Sequence, residues 1–249
     1  MNSQLRDTVS WATDKIRPYR GTIVKLVTLL IICGVLYAIF RYYKNVSRNR
    51  PYLIKGEKDA TVELQIPRSK ILNSKIGTEF SYSFWINVKD WGHNFNKPKH
   101  IFHIGDPDAK SVCPGVWLYP KNNNIMVRVD THGNKNNMNP SKDKNLIKKE
   151  LPCDIDNIPV QRWVHVAIVL MNRTLDVYIN GKLTRSCLLE NVPKFNDGNM
   201  FINQNGGYDG LISDLMYSNQ ALSPNDIYLL YMSGKDAFVL YHHLDKVPL

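Results

Sequence analysis

The residues of this sequence that come nearest to a hydrolytic pair are three carboxylates, Glu57, Asp59 and Glu63. Hydrolysis of a glycosidic bond needs two carboxyl groups about 5 to 5.5 Å apart for retention, or about 6.5 to 9.5 Å apart for inversion. The three residues fall in a polar linker and the first predicted strand, and no other carboxylates pair in strand register. Gly-x-Ser-x-Gly, His-Glu-x-x-His and phosphate-loop motifs are also missing. We therefore predict that the protein is not an enzyme.

Four cysteines are the next candidates for chemistry, and no Cys-x-x-Cys pair is present to hold zinc. Cys33 falls in an apolar run. Cys153 precedes a predicted strand and Cys187 ends the returning strand of a predicted hairpin, so an oxidising compartment would allow a bridge between them. Cys113 would then be the odd thiol. A cytosolic site of assembly would instead leave all three reduced.

Two asparagines, Asn45 and Asn172, begin Asn-x-Ser/Thr triplets that can accept a glycan. This chemistry matters only if the domain is lumenal. Asn172 lies in a predicted tight turn between two strands, so we expect it to be the better exposed of the two.

An apolar run over residues 22–40 separates a polar N-terminal segment, 1–21, from a basic linker, 41–60. Nineteen helical residues extend about 28 Å, close to the roughly 30 Å of bilayer hydrocarbon. The run lacks the polar stripe of a core helix, and neither its position nor its flanks suit a cleaved signal peptide. We predict a single uncleaved transmembrane helix, and hence a single-pass membrane protein.

Basic residues flank this span on both sides, and Lys25 near its start can extend its ammonium group to the headgroups. They suit contact with anionic lipid, but the positive-inside rule then only weakly favours a cytosolic C-terminal side. The formal charge of +10 over 249 residues divides into +3 for the first 40 residues and +7 for the rest, and no nucleic-acid-binding motif accompanies it. Nucleic acid is therefore an unlikely partner. The basic residues after the span are Arg41, Lys44, Arg48 and Arg50.

From residue 61 onward the apolar residues alternate with period two, which is typical of half-buried strands. Residues 61–66, 80–88, 125–130 and 174–179 follow this pattern, and 163–170 is apolar enough for a central strand. Asn180-Gly181 predicts a two-residue hairpin turn. Ser223, Pro224 and Asp226 predict the start of one short helix, and residues 238–241 could return to the sheet. We predict that residues 61–249 form an all-β, two-sheet antiparallel sandwich with one C-terminal helix.

Three segments in a characteristic order carry a family resemblance: SYSFWINV (81–88), IPVQRWVHVAIVLMNRTLDVYINGKL (158–183) and GGYDGLISDLMYSNQALSPNDIYLLYMSG (206–234). They resemble concanavalin A-like jelly-roll modules of the laminin G and pentraxin type, which implies a jelly roll over about residues 60–245. The signature positions are Trp163, His165, Tyr178, Asn180 and Gly181. Trp163 is large enough to fill the gap between two sheets, and His165 is expected to be a hydrogen-bonded structural residue.

The resemblance also raises calcium, because such domains often bind it through rim-loop carboxylates. Asp106, Asp108 and Asp209 are the candidates. The alternative, which we favour because these loops hold few carboxylates, is that the residues occupy turns and bond their own backbone. The expectation is therefore no cofactor, with calcium as the exception to test.

A long segment, 120–151, is rich in asparagine and lysine. Its centre, roughly 131–145, is long for a loop without regular structure. Two interpretations are open: a solvated insertion, or a loop that binds an acidic protein surface or a glycan. The lysines concerned are Lys121, Lys135, Lys142, Lys144, Lys148 and Lys149.

Two functions follow from this organisation. The anchor and the Lys/Asn-rich domain resemble concanavalin A-like proteins encoded by large DNA viruses of algae and amoebae, which implies a minor virion protein linking an internal membrane to capsid proteins. The alternative is a membrane-tethered lectin that binds glycans. Neither function needs catalysis.

Overall fold

The structure is a computed structural model, and it describes residues 19–74, 77–134, 137–148 and 153–235. Most of the N-terminal polar segment and the predicted strand 238–241 lie outside the described residues. The chain divides into two compact units, residues 1–48 and 49–249.

The first unit is dominated by helix α1 (Arg20–Asn49), a 30-residue helix. Within the stretch Gly21–Asn45, an 18-residue window has a mean hydropathy of 2.6 and is exposed, so this helix is long and apolar enough to cross a membrane. The helix also continues through residues 41–49, which we predicted to belong to the linker.

The second unit is a sandwich of two antiparallel sheets, which confirms the predicted fold class. One sheet has six strands in the order β1-β11-β3-β7-β8-β9, and the other has five in the order β2-β10-β4-β5-β6. The strands are β1 (Glu57–Asp59), β2 (Leu64–Ile66), β3 (Glu79–Asp90), β4 (Lys99–Gly105), β5 (Val112–Leu118), β6 (Ile125–Arg128), β7 (Val164–Met171), β8 (Thr174–Ile179), β9 (Lys182–Leu188), β10 (Asn199–Ile202) and β11 (Asp209–Ser218). Among the residues that the structure describes, two α-helices complete the unit, α2 (Asn145–Lys148) and α3 (Pro224–Ser233).

The strand predicted over residues 61–66 is shorter than expected. Strand β2 begins only at Leu64, because the chain turns after Asp59. The Asp59 carboxylate accepts hydrogen bonds from the Thr61 N–H at 2.8 Å and the Thr61 hydroxyl at 2.7 Å. Such local side-chain bonds compete with strand pairing, and period-two hydrophobicity does not reveal them.

The main core lies between the two sheets and takes one face of each strand. Phe84 and Ile86 of β3 and Val166 and Ile168 of β7 are all fully buried there. Strand β7 pairs with both β3 and β8, as predicted for a central strand. The prediction that Trp163 fills the gap between the sheets is wrong.

Trp163 is half-buried just before β7 because of the strand period. It shares its side of the chain with His165 and Ala167, which point to the outer face of the six-stranded sheet, whereas the core takes the alternate residues. The Lys235 Nζ lies 5.3 Å from the Trp163 ring centroid.

Local signals place the last hairpin and the last helix. Asn180 and Gly181 have φ angles of 49° and 74°, as a tight hairpin between β8 and β9 requires. Ser223 and Asp226 cap α3 reciprocally, and Gly234 follows its end. Helix α3 buries Ile227 against the outer face of the six-stranded sheet.

The outer face of the five-stranded sheet is covered as well. Trp117 of β5 and Met126 of β6 are buried in a small apolar cluster with Met138. Met138 belongs to the long segment after β6, so this segment packs on the sheet rather than extending into solvent.

Candidate functional site

One end of the sandwich carries an open polar groove of about 560 Å³, a volume within the range of small-ligand sites. Loops from five different connections line it, including the β3–β4, β4–β5 and β10–β11 loops and the long segment after β6. We call it the amide groove, after four asparagines and a glutamine in its lining. The lining residues that carry polar side chains are Glu63, Asn94, Asn96, Lys97, Asp108, Asn139, Ser141, Lys142, Lys144, Gln204 and Asn205.

Backbone conformation explains part of this asparagine content. Asn94, Asn96 and Asn205 have φ angles of 52°, 63° and 56°. Asparagine adopts this left-handed region at less cost than other residues with a side chain. The turns therefore favour asparagine, and its amide then faces the groove as a consequence.

Some of these amides hold the groove together. The Asn94 Nδ2 donates to the carbonyls of Asn205 at 3.2 Å and Gly207 at 3.3 Å, which ties the β3–β4 loop to the β10–β11 loop. The Asn139 Nδ2 donates to the Asp108 carbonyl at 2.7 Å. These groups are already used by the protein, so they shape the groove rather than offer new bonds to a ligand.

Other side chains in the lining remain available. Asn96, Lys97 and Asn205 are exposed, and their side chains make no hydrogen bond or ion pair to another described residue. The same holds for Glu63 and Lys144 within the described chain. Amide donors, amide acceptors, ammonium groups and one carboxylate thus face the same space.

Two buried histidines of β4 lie beneath the loops of the groove. The Gln204 N–H donates to His100 Nδ1 at 2.9 Å, His100 Nε2 and His103 Nδ1 are 2.8 Å apart, and His103 Nε2 donates to the Asp106 carbonyl at 2.9 Å. Burial lowers the pKa of both imidazoles, that of His100 well below its ordinary value. Both rings are therefore neutral near pH 7.

The three candidate calcium ligands are not brought together. Both carboxylate oxygens of Asp106 accept backbone N–H groups, from Lys110 at 2.7 Å and Ser111 at 3.2 Å. Asp108 pairs with Lys142 at 3.2 Å, and Asp209 lies in β11. Among the described residues, no group of three or more His, Cys, Asp or Glu side chains could hold a metal ion.

The lysines of the long segment take separate positions. Lys142 and Lys144 line the amide groove, whereas Lys121 is exposed in the turn after β5 and does not. Lys148 lies in α2, and Lys135 and Lys149 lie outside the described residues.

A buried ion pair connects β6 of the five-stranded sheet to the residues that directly follow the long segment. The Arg128 guanidinium contacts the Asp154 carboxylate, with Nη2 to Oδ2 at 3.2 Å, and both side chains are 1% exposed. Arg128 also donates to the Leu146 carbonyl at 3.0 Å, and the Tyr119 hydroxyl donates to Asp154 at 2.6 Å. Sequence reasoning missed this pair because Arg128 sits in an alternating strand pattern.

The cysteines of the sandwich have the arrangement expected for an oxidising compartment, with one disulfide and one free thiol. Cys153 and Cys187 form a disulfide with Cα atoms 5.7 Å apart, and Cys113 is a buried free thiol. Burial raises the pKa of the Cys113 thiol, so it is not a reactive thiolate.

His165, the histidine of the signature, is buried on the outer face of the six-stranded sheet. Its Nε2 is hydrogen-bonded to Ser83 Oγ at 2.8 Å, and its backbone N–H donates to Asn180 Oδ1 at 3.0 Å. Its Nδ1 has no partner among the described residues. Among the described residues no carboxylate bonds Nδ1, and the Ser83–His165 pair lies beneath α3. The pair therefore lacks both the third member of a catalytic triad and the substrate access that a nucleophilic site needs.

The remaining signature and membrane-flanking residues lie away from the amide groove lining. Tyr178 is buried in β8. In α1, Lys25, Arg41, Lys44 and Asn45 are exposed, and the Lys44 Nζ lies 6.0 Å from the Phe40 ring centroid. Arg48 ends the first unit, Arg50 precedes the sandwich, and Asn172 is exposed in the β7–β8 turn.

Comparison with known families and structures places this fold. A family model, Laminin_G_3, described as the concanavalin A-like lectin/glucanases superfamily, matches residues 58–228. No curated protein matches the chain.

Solved structures give likeness in fold only, because the identities are below 25%. The binding domain of Paraclostridial mosquitocidal protein 1 has a TM-score of 0.52 at 16% identity, over 71% of this chain and 42% of that one. The botulinum neurotoxin C/D mosaic receptor-binding domain has 0.47 at 19%, over 65% and 37%. The serotype D ligand-binding domain, solved with N-acetylneuraminic acid, has 0.49 at 19%, over 74% and 46%. The chain thus spans less than half the length of these solved chains.

Proposed function

Because the chain belongs to the Laminin_G_3 family of the concanavalin A-like lectin/glucanase superfamily, we propose that it is a membrane-tethered, non-enzymatic lectin that binds glycans in the amide groove. The fold alone does not decide this, since superfamily members differ in function. The observation that carries the proposal is the set of exposed, uncommitted polar side chains in the groove, above all Asn96, Lys97 and Asn205.

The chemistry of these side chains suits sugar hydroxyls. An amide offers two donors and an acceptor, so one asparagine can bond a hydroxyl in either direction. Phe95 lies between two groove residues in the chain and its side chain is 57% exposed. An exposed aromatic ring beside amides provides an apolar surface for the C–H face of a sugar ring.

The carboxylates nearest to a hydrolytic arrangement support a non-enzymatic role. Glu57 pairs with Lys235 at 2.8 Å. Hydrogen bonds from Thr61 lower the pKa of Asp59, whereas a general acid in glycoside hydrolysis needs a raised pKa. Glu63 follows the turn after β1 and lines the groove, where the other carboxylate of the lining, Asp108, is paired with Lys142 at 3.2 Å.

Glycan-array binding of the full chain in detergent micelles tests the proposal. The variant Asn96→Asp/Asn205→Asp removes two amide donors while keeping residues that tolerate the left-handed backbone. We expect about a tenfold loss of affinity for the best glycan, since two neutral hydrogen bonds contribute roughly 1 to 3 kcal/mol. Asn157→Asp is the matched control, because Asn157 is exposed at a φ of 54° outside the groove. No binding on the array, with or without calcium, would refute the proposal.

A second candidate is the structural role, in which the chain links an internal membrane to capsid or other structural proteins of a virion. The observation that favours it is the edge strand β9, whose Leu183 and Leu188 side chains are 52% and 70% exposed. An exposed apolar edge is a surface on which another chain can pair. Mass spectrometry of purified, cross-linked particles tests this role, and absence of the protein from them would exclude it.

A further inference from the structure

The β7–β8 turn presents a complete glycan-acceptor triplet, Asn172-Arg173-Thr174. Asn172 and Thr174 are exposed, and neither side chain makes a hydrogen bond to another described residue. The Asn172 backbone is fixed, since its N–H donates to the Thr78 carbonyl at 2.9 Å. Arg173 donates to the Leu189 and Glu190 carbonyls, which holds its guanidinium on the β9 side of the turn. The acceptor amide and the hydroxyl two residues later are therefore accessible together.

The acceptor lies on the surface of the folded domain, since Asn172, Arg173 and Thr174 are all exposed. A position with a free amide on an exposed turn is where a bulky, solubilising modification is tolerated.

The disulfide is an independent observation that points to the same compartment. Cys153 and Cys187 are bonded within this sandwich, and structural disulfides persist in the lumen of the endoplasmic reticulum and outside the cell but are rare in the cytosol. Transfer of glycans to asparagine takes place on the lumenal side. One location of the domain accounts for both features.

We propose that Asn172 carries an N-linked glycan and that the sandwich lies on the lumenal or exterior side of the membrane. In the transfer, Nδ2 bonds to C1 of a lipid-pyrophosphate-linked oligosaccharide and loses a proton, which the departing pyrophosphate takes up. The bond from C1 to the phosphate oxygen breaks, and the lipid pyrophosphate leaves. No oxidant or reductant takes part.

The other acceptor triplet is in a different situation. Asn45 lies in α1 at the end of the apolar stretch Gly21–Asn45, and it already has an interaction within the chain. Its helical backbone next to the bilayer makes it a poor acceptor, so it serves as the internal control.

Flanking charge does not oppose this orientation strongly. Within ten residues of the predicted span, three basic residues precede it and four follow it. A difference of one residue gives the positive-inside rule little weight against a disulfide in the folded domain.

Expression of the full chain in eukaryotic cells, followed by glycosidase treatment and gel electrophoresis, tests the modification. We expect one glycosidase-sensitive step in mobility for the wild type and for Asn45→Gln, and none for Asn172→Gln or Thr174→Ala. Thr174→Ser keeps the triplet and should keep the step, which separates loss of the acceptor from misfolding. Glycosidase-insensitive wild-type protein would overturn the glycan at Asn172.

Counting thiols in the same preparation tests the location. Under denaturing, non-reducing conditions a maleimide reagent should label two of the four cysteines, Cys33 and Cys113, and all four after reduction. Four labelled cysteines before reduction, in protein alkylated at lysis, would overturn the lumenal or exterior location.

Discussion

His165 should make the stability of the sandwich depend on pH, and replacing it with glutamine should remove that dependence. The imidazole is fully buried against the rings of Trp85 and Tyr231, with centroid distances of 5.1 and 6.0 Å. Burial lowers the pKa of His165 to about 4. Glutamine can still bond the Ser83 hydroxyl but does not titrate.

The magnitude follows from the two pKa values. In the unfolded chain the pKa of His165 is about 6.5. As the pH falls below 6.5, the unfolded state therefore binds a proton that the folded state does not bind until the pH is near 4. The stabilisation is therefore present above pH 6.5 and is lost as the pH falls towards 4. The total is about 3 kcal/mol, of which roughly 2 kcal/mol is lost by pH 5.

Urea unfolding at pH 7 and pH 5, followed by tryptophan fluorescence in detergent micelles, measures this loss. We expect the wild type to lose about 2 kcal/mol more than His165→Gln between the two pH values. His132 is exposed, so His132→Gln is the control and should lose as much as the wild type. Equal losses in wild type and His165→Gln would refute the reasoning, because the contributions of the other buried histidines cancel in that comparison.

Three further perturbations test the packing of the sandwich by the same urea assay. Asp154→Ala leaves a buried guanidinium unpaired and should cost about 3 to 5 kcal/mol, whereas Asp156→Ala removes an exposed ion pair and should cost less than about 1 kcal/mol; equal costs would contradict this. Cys153→Ala/Cys187→Ala opens a loop with a sequence separation of 34 and should cost roughly 4 kcal/mol, so unchanged stability would exclude the bridge. Gly115→Ala would place a Cβ 2.4 Å from a carbon of the Trp117 indole and should cost about 1 to 3 kcal/mol by overpacking. An unchanged urea midpoint for this variant would contradict that expectation.

The parts of the fold that the sequence predicts are those fixed by neighbouring residues. Asn180-Gly181 predicts the β8–β9 hairpin because only the local φ angles matter. Ser223 and Asp226 predict the start of α3 because the two caps lie three residues apart. Alternation assigns strands, but the size of Trp163 suggested a place between the sheets, whereas the strand period puts its ring on the outer face.

The candidate site could not be predicted in the same way, because its residues come from loops far apart in the chain. Glu63, Asn96 and Asn205 come to line the same groove only after the strands have formed and the two sheets have packed together. The asparagine-rich composition was visible, but it indicated a solvated insertion as much as a binding loop. Arg128 shows the same limit, since its partner Asp154 is 26 residues away and covers the sheet only in the folded chain.

The histidine pair beneath the groove gives its hydrogen bonds a single direction. The Gln204 N–H can only donate, so His100 must carry its proton on Nε2 and donate to His103 Nδ1. His103 then carries its proton on Nε2 and donates to the Asp106 carbonyl, which can only accept. Neither imidazole can change tautomer without breaking a bond at one end, so the β4–β5 and β10–β11 loops are energetically coupled. A ligand that displaces one of these two loops must therefore also perturb the hydrogen bonds that hold the other loop.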